Sequence, residues 1–215
     1  MKGVERSSMH KAKYITWLFL VLIIVISGFW RKNDLLSIRE EENSFKDYVK
    51  FHFELKNDDG HHMSEQDFLG KPAIFYFGFT YCPDICPTIL GKLEEIIGLL
   101  GSDHHKFNFA FVTIDPARDS AKALKSYHKH FSSKITFLTG SESQIDEITK
   151  NFKVYYKKTN ITEKNYLFDH SSFIYLLDKN GIMKGYISDQ DDVPSAINKI
   201  KQLALYNILD TTIVS

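Results

Sequence analysis

Between residues 73 and 152, short apolar segments that are typical of buried strands alternate with longer segments that have a helical pattern. Two parallel neighbouring strands need a crossover of about a dozen residues or more, and each helical segment here has that length. The alternation therefore predicts an α/β fold with a parallel sheet between layers of helices. The predicted strands are 73–79, 107–114 and 135–139, and the predicted helices are 88–100, 119–131 and 141–152.

Two further segments predict hairpins. Residues 49–60 alternate apolar and polar side chains and end in a turn signal, which indicates a strand that enters a hairpin. Residues 172–188 contain two apolar runs around "KNG" and predict an antiparallel hairpin, and residues 193–209 predict a closing helix. A parallel core with a terminal hairpin and flanking helices is the thioredoxin-like arrangement. We therefore expect residues 48–215 to form a thioredoxin-like three-layer sandwich with added hairpins.

Residues 14–30 form an uncharged, mostly apolar run. At about 1.5 Å per residue, a helix of this run is roughly 25 Å long, slightly less than a bilayer core of about 30 Å. Basic residues dominate residues 1–13, whereas charges of both signs occupy residues 31–47. This asymmetry predicts a cytoplasmic leader, a transmembrane signal-anchor helix and a tether, with the domain facing the periplasm of a bacterial inner membrane.

Two alternatives to the membrane anchor remain open. A cleaved signal peptide would normally carry a small-x-small cleavage site, and "SGFWRK" follows the run instead. A helix buried in a soluble core would normally show a polar face. A mitochondrial homologue that lacks its presequence is the alternative to a bacterial protein.

The charge balance bears on the class of partner. Lysine plus arginine and aspartate plus glutamate are equal in number, 27 each. The chain therefore has no net field of one sign that would attract the phosphates of a nucleic acid. We expect no nucleic acid among its partners.

The chain has two cysteines, which lie in the predicted loop between strand 73–79 and helix 88–100. Cys82 and Cys86 each precede a proline, and a residue before proline disfavours the helical conformation. We therefore expect both to be non-helical, with Cys86 near the N-cap, where unpaired N–H groups favour a thiolate. Three roles stay open: a static structural pair, a thiol–disulfide redox pair, and two soft ligands of a metal ion such as Cu(I).

A metal site would need at least one further ligand, and the chain has nine histidines. Most of them lie in polar turns, in the leader or on a lysine-rich helix end, where solvated side chains are expected. His170 differs because it follows Asp169 at the entrance to an apolar strand. Taken alone, such a histidine is more often structural than a metal ligand.

Three stretches together resemble the Sco/SenC family of copper chaperones for cytochrome c oxidase: "GKPAIFYFGFTYCPDICPTIL", "VTIDPARDS" and "YLFDHSSFIYLLDKNG". The resemblance covers roughly residues 48–205 and implies a thioredoxin-like fold with one N-terminal membrane anchor. It also implies that Cys82, Cys86 and His170 bind one copper ion, as Cu(I) or Cu(II). Asp169 is then the expected hydrogen-bond acceptor that orients the His170 ring.

The resemblance further implies two partners, a copper donor protein and subunit II of cytochrome c oxidase, whose dinuclear copper centre such proteins help to assemble. Two thiolates and one imidazole suit Cu(I) better than structural zinc, which prefers four ligands. A metallochaperone is not an enzyme. The alternative is a thiol–disulfide oxidoreductase in which Cys82 and Cys86 reduce the cysteines of oxidase subunit II or of another exported protein.

Overall fold

The computed structural model of the chain describes residues 52–160, 162 and 166–213, together with Trp17 and Leu22. The predicted leader, the tether and most of the predicted transmembrane helix therefore lie outside the described residues. In the part of the chain that is described, no helix is both long enough and apolar enough to cross a membrane. All the strands and helices below belong to the unit Tyr48–Ser215.

The described strands form one large sheet and a separate hairpin. They are β1 Glu54–Asn57, β2 His62–Ser64, β3 Ala73–Gly78, β4 Asn108–Thr113, β5 Ile135–Thr139, β6 Tyr156–Asn160, β7 Tyr166–His170, β8 Ile174–Leu177 and β9 Met183–Ile187. The order in the large sheet is β2-β1-β5-β4-β3-β8-β9, and β6 pairs with β7. Strands β3, β4 and β5 are parallel, whereas β8 is antiparallel to both β3 and β9. The predicted parallel core and terminal hairpin are confirmed.

The helices follow the predicted order with shifted ends. They are α1 Ile85–Leu100, α2 Ala121–His128, α3 Glu142–Asn151 and α4 Val193–Ile213, with short 3-10 helices at Glu65–Phe68 and Gly101–Lys106. Helix α2 starts later than predicted because Ser120 is its N-cap and accepts a hydrogen bond from the N–H of Ala123, and it also ends earlier, at His128. Ser141 caps α3 in the same way, through the N–H of Gln144.

Strand β3 lies inside the sheet, and all its residues are buried. Side chains of a strand point alternately to the two faces, so β3 contacts both helical layers. On one face, the rings of Phe75 and Phe77 lie 5.3 and 5.0 Å from that of Phe152, which follows α3. On the other, Tyr76 packs against Phe111 of β4 at 5.9 Å. This burial on both faces explains the continuous apolar sequence of β3 and confirms a layered α/β fold.

The hairpin β6–β7 was not predicted from the sequence. Its first strand, "YKKTN", carries exposed lysines at positions 157 and 158 and lacks the apolar pattern of a buried strand. In the hairpin, Tyr156 is paired with His170. His170 is therefore the last residue of its own strand, and β8 begins four residues later at Ile174.

Candidate metal centre

The loop that follows β3 carries Cys82 away from the core. Phe79 is still buried, and its carbonyl oxygen accepts a hydrogen bond from the N–H of Cys82 at 3.2 Å, which closes a tight turn. Cys82 is half-buried, whereas Cys86 is 0% exposed. Both are free thiols. Solvent or a partner can therefore reach one sulfur, while the other is enclosed by protein.

Helix α1 begins at Ile85 with Asp84 as its N-cap, so Cys86 lies in the first helical turn. The prediction that Cys86 is non-helical is wrong. A following proline disfavours the helical conformation without excluding it. Pro87 also falls in the first turn, where N–H groups have no acceptor within the helix, so its missing donor costs nothing.

The sulfur of Cys86 lies directly against the end of β3. A Cβ atom placed on Gly78 would lie 2.9 Å from Cys86 Sγ and 3.0 Å from Cε2 of Phe111. Both distances are shorter than normal contacts between such atoms. Glycine at this position therefore makes room for the sulfur.

A buried carboxylate fixes the start of the cysteine loop. Asp119 is 0% exposed and accepts hydrogen bonds from the backbone N–H of Thr80 at 2.9 Å and from its hydroxyl at 2.5 Å. The hydroxyl of Thr113, at the end of β4, donates to the same carboxylate at 2.6 Å. Burial raises the pKa of Asp119, although these hydrogen bonds act in the opposite direction. The ends of β3 and β4 are thereby tied together next to Cys82.

A second contact joins the same two loops to the hairpin. The guanidinium carbon of Arg118 lies 3.6 Å from the ring centroid of Tyr166 and 4.6 Å from that of Tyr81. Arg118 also forms an ion pair with the buried carboxylate of Asp115, which accepts a hydrogen bond from the Tyr166 hydroxyl at 2.7 Å. Since Tyr81 precedes Cys82 and Tyr166 begins β7, this cluster connects the cysteine loop to the strand that ends at His170.

The hairpin β6–β7 places His170 above the cysteine loop. The N–H of Ser171 donates to the carbonyl oxygen of Tyr155 at 2.9 Å, and the N–H of Tyr155 donates to the Ser171 hydroxyl at 3.1 Å. The His170 ring meets the ring of Phe79 edge-on, with the centroids 5.8 Å apart. Backbone pairing and an aromatic contact thus hold the imidazole on the side of the sheet that carries Cys82.

The orientation of the imidazole is set by a backbone group. Nδ1 of His170 lies 2.9 Å from the carbonyl oxygen of Ser171, which can only accept, so Nδ1 carries the proton. In the neutral ring Nε2 then has a free lone pair, and it lies 3.4 Å from Cys86 Sγ. Asp169 is exposed, and the expectation that it orients the ring is wrong. A backbone carbonyl supplies the contact that often fixes a metal-binding histidine.

The structure brings together the three side chains that the sequence singled out. The sulfur atoms of Cys82 and Cys86 and a ring nitrogen of His170 all lie within 4.8 Å of one another. Bonds of about 2.0–2.3 Å from three ligands to one ion separate the ligands by roughly 3.5–4 Å, so small side-chain rotations suffice. Two sulfurs and one imidazole, with no carboxylate among them, form a donor set for a soft ion such as Cu(I).

The two thiols differ in acidity. The pKa of Cys82 is lowered to about 4, chiefly because Cys86 donates a hydrogen bond to its sulfur; nearby backbone N–H groups add to the effect. The pKa of Cys86 is raised by the same contact and by burial. Both shifts favour Cys82 over Cys86 as the thiolate, whereas the sequence favoured Cys86 at the helix N-terminus. The sulfur that is more accessible, that of Cys82, therefore also belongs to the more acidic thiol.

Several residues around the site were missed in the sequence. Arg118 and Asp119 lie in the motif "VTIDPARDS", which was noted for resemblance only. Tyr76 and Gly78 lie in a strand that was recognised only as buried core. A signal existed for Gly78, since a glycine inside an apolar strand often marks the close approach of another group. No comparable signal pointed to the carbonyl of Ser171.

Comparison with known proteins places the chain in a family. The model of the SCO1/SenC family matches residues 41–205. A SCO2-like protein of Rickettsia felis is 42% identical over 175 residues, which are 75% of this chain and 84% of the relative. The structure of Bradyrhizobium japonicum ScoI with copper bound has a TM-score of 0.67 at 30% identity, covering 71% of this chain and 97% of that one.

The structure of yeast Sco1 with copper bound has a TM-score of 0.66 at 36% identity, and the match covers 70% of this chain and 85% of that one. The family match spans more than half of the sequence and includes the β3–α1 loop and the hairpin β6–β7. The mixed α/β, thioredoxin-like fold agrees with these neighbours. The chain belongs to the SCO1/SenC family.

Proposed function

We propose that this protein is a copper metallochaperone that binds one copper ion through Cys82, Cys86 and His170. The observation that carries the proposal is the convergence of two sulfurs and one imidazole nitrogen, although His170 lies 84 residues beyond Cys86 in the sequence. Two solved structures with the same fold, from B. japonicum and yeast, have copper bound. This parallel supports copper as the cargo.

The geometry suits a protein that gives its metal away. Three ligands leave the coordination sphere of copper open, so a ligand from a partner can bind before the original ligands leave. Cys82 is half-buried and offers the accessible side of the site, whereas Cys86 and the backbone-anchored ring of His170 keep the arrangement in place. The metal need not be free at any stage of such a transfer.

The proposed recipient is subunit II of cytochrome c oxidase, where the protein helps to assemble the dinuclear copper centre, and a separate copper donor protein loads the site. Both partners follow from the family resemblance. We also propose that residues 14–30 anchor the chain in a bacterial inner membrane, with the domain in the periplasm. The uncharged run and the basic flank before it support this placement.

A second candidate function, thiol–disulfide exchange, is favoured by the asymmetry of the cysteines. The Cys82 thiolate would attack one sulfur of a partner's disulfide and form a mixed disulfide, and the other partner sulfur would leave as a thiolate. Cys86, once deprotonated, would then attack the sulfur of Cys82, break the bond between Cys82 and the partner, and release the remaining partner sulfur as a thiolate. The products are a Cys82–Cys86 disulfide and a partner that has gained two electrons.

Substitution of His170 distinguishes the two candidates, because only metal binding needs the imidazole. We expect the anaerobically purified chain to bind one Cu(I) in competition with a chromophoric chelator. His170→Ala should weaken this binding by roughly 100-fold or more, since loss of a contact behind a ligand alone costs about 10–100-fold. Both proteins should still form the Cys82–Cys86 disulfide on mild oxidation.

His104→Ala is the matched control. Nδ1 of His104 also donates to a backbone carbonyl, that of Gly101 at 2.6 Å, but this histidine lies in the 3-10 helix after α1, outside the Cys82–Cys86–His170 cluster. Its replacement should leave the affinity for Cu(I) unchanged. Equal affinities of the wild-type chain and His170→Ala would contradict the proposed ligand set.

A further inference from the structure

The tyrosine in the middle of β3 has a hydroxyl group with no evident structural role. Tyr76 is 0% exposed. Among the described residues, its hydroxyl oxygen is a buried polar atom without a hydrogen-bond partner of normal geometry. Burying a hydroxyl in this way costs free energy, so its retention needs an explanation.

The sulfur of Cys86 lies close to the ring of Tyr76. A Cβ atom on Gly78 would lie 2.9 Å from Cys86 Sγ and 3.3 Å from Cε1 of Tyr76, so the ring edge and the sulfur border the same small space. The apolar ring of Phe111 borders this space as well, and its centroid lies 5.9 Å from that of Tyr76. The ordinary pKa of a tyrosine hydroxyl is about 10, well above neutral pH. The hydroxyl therefore keeps its proton and remains a donor.

Metal binding changes what Cys86 requires. A cysteine binds metal as the thiolate, so its proton is released to solvent when the ion enters. The thiolate of Cys86 then lies in a site that solvent does not reach, where negative charge needs hydrogen-bond donors. Donors to a ligating sulfur stabilise its charge and tune the bound metal.

We propose that the Tyr76 hydroxyl donates a hydrogen bond to the Cys86 thiolate in the copper-loaded protein and thereby strengthens copper binding. Tyr76 is thus a positioning and tuning residue behind the ligand. The inference rests on the proposed function, because it assigns Tyr76 a role in the same site. It explains why a tyrosine stands where phenylalanine would fill the core equally well, as it does at the adjacent positions Phe75 and Phe77.

The test compares Tyr76→Phe with Tyr127→Phe. Tyr127 also has a buried hydroxyl without a partner among the described residues, and its ring lies 6.3 Å from that of Phe111, so it matches Tyr76 in chemistry and surroundings. Burial is the main cause of the raised pKa of Tyr127, and the nearby cysteine sulfurs raise it further. Among the described residues, no hydrogen bond joins Tyr127 to either cysteine. Each substitution removes one oxygen atom and leaves the ring.

For Tyr76→Phe we expect Cu(I) binding to weaken by about 10–100-fold in a chelator competition, as for other contacts that support a metal ligand. Urea unfolding of the copper-free variant should match or exceed wild-type stability, since an unpartnered hydroxyl is lost. In the Cu(II)-loaded variant, the sulfur-to-copper charge-transfer band should move to longer wavelength, because the thiolate loses a donor. Tyr127→Phe should change neither the affinity nor the band.

Tyr76→Phe with wild-type affinity and an unshifted band would overturn the inference while leaving the proposed function intact. Equal weakening in the two variants, together with lower stability of the copper-free proteins, would also overturn it, because packing would then explain the effect. Failure of the wild-type chain to bind copper would remove the proposed function itself, and this inference with it.

Discussion

The absence of a side chain at Gly78 determines where the sulfur of Cys86 can lie. Its missing Cβ atom leaves the space that Cys86 Sγ occupies. Among the described residues, the sulfur is bordered by Gly78 on the strand side and by His170 Nε2 at 3.4 Å on the hairpin side. The ligand positions therefore depend on close packing as much as on the ligands themselves.

Gly78→Ala should displace the Cys86 sulfur, because the new Cβ atom would lie 2.9 Å from it. Overpacking of this kind costs about 1–3 kcal/mol of stability. We expect that loss in urea unfolding, together with Cu(I) binding that is weaker by roughly tenfold, comparable to the loss of a supporting contact.

Gly98→Ala is the control for this substitution. Gly98 lies in α1, and a Cβ atom there would meet nothing within 4 Å. Alanine is a better helix former than glycine by about 0.8–1.0 kcal/mol, so this variant should be more stable and bind copper normally. Normal copper binding by Gly78→Ala would show that the sulfur does not need the space.

The ligands themselves were predictable because their chemistry is rare in the sequence. The chain has two cysteines, and the resemblance selected His170 from nine histidines. The orientation of His170 was not predictable, since its acceptor is a backbone carbonyl and carries no residue signature. The lower pKa of Cys82 was also missed, because it depends on the contact between the two sulfurs and on the burial of Cys86, which only the three-dimensional packing fixes.

Two elements hold the cysteine loop in place: the loop of residues 115–119 after β4, and the hairpin β6–β7. Asp119 of the first element binds both the N–H and the hydroxyl of Thr80. Phe168 of the second packs edge-on against Phe79, with ring centroids 5.5 Å apart. One contact fixes the start of the loop, and the other fixes the strand that carries His170.

Asp119→Ala should destabilise the fold by roughly 2–4 kcal/mol, because three donors, one of them fully buried, lose their acceptor. Asp119→Asn should be milder and should change the pH dependence. Burial raises the pKa of Asp119 from its ordinary 3.8, so the folded state binds the proton more tightly than the unfolded state. The contribution of this group is fully present below that value and is lost as the pH rises through the raised pKa.

Urea unfolding, measured from below pH 3.8 to above the raised pKa of Asp119, tests this pH dependence of stability. The wild-type chain should lose stability with rising pH relative to Asp119→Asn, which cannot ionise. A stability difference between the two proteins that stays constant with pH would contradict the account of Asp119.

Phe168→Ala should loosen the hairpin and with it the position of His170. Phe168 is half-buried and contacts Tyr156, Tyr166 and Phe79. We expect weaker Cu(I) binding, by about tenfold, the lower end of the loss for a contact that supports a metal ligand. Formation of the Cys82–Cys86 disulfide should be unaffected.

Phe131→Ala provides the comparison, since Phe131 is also half-buried but packs against Tyr127, at 5.0 Å, beyond the end of α2. Both variants should lose stability, and only Phe168→Ala should lose copper affinity. Equal copper affinities in the two variants would show that the hairpin does not position His170.

Most elements were predictable, and the exceptions have local causes. The parallel strands β3, β4 and β5 are nearly continuous in apolar residues because both faces of the sheet are covered. The hairpin β6–β7 was not predicted because exposed lysines interrupt the apolar pattern of its first strand. The start of α1 was placed too late because each cysteine precedes a proline. Asp84 is the N-cap, two residues before the expected position at Cys86.

The chain as a whole combines the described domain with an N-terminal segment in which the structure describes only Trp17 and Leu22. Its uncharged residues 14–30 predict a membrane anchor. We expect the chain to remain in the membrane pellet after alkaline carbonate extraction, and a C-terminal alkaline phosphatase fusion to be active, since that enzyme folds outside the cytoplasm.

Leu22→Arg combined with Ile23→Arg tests the role of the apolar run. An arginine at the centre of a membrane helix costs about 2.5–3.5 kcal/mol, so two should prevent insertion and abolish phosphatase activity. Retention of the double variant in the carbonate-washed membrane, with active phosphatase, would contradict a signal anchor at residues 14–30.

The central claim is that one copper ion is held by Cys82, Cys86 and His170 together. X-ray absorption at the copper edge of the Cu(I)-loaded chain measures this most directly, because it reports the kind and number of bound atoms. The account predicts one copper per chain with two sulfur neighbours and one nitrogen neighbour, and loss of the nitrogen contribution in His170→Ala. A wild-type spectrum with sulfur neighbours alone, unchanged in His170→Ala, would contradict it.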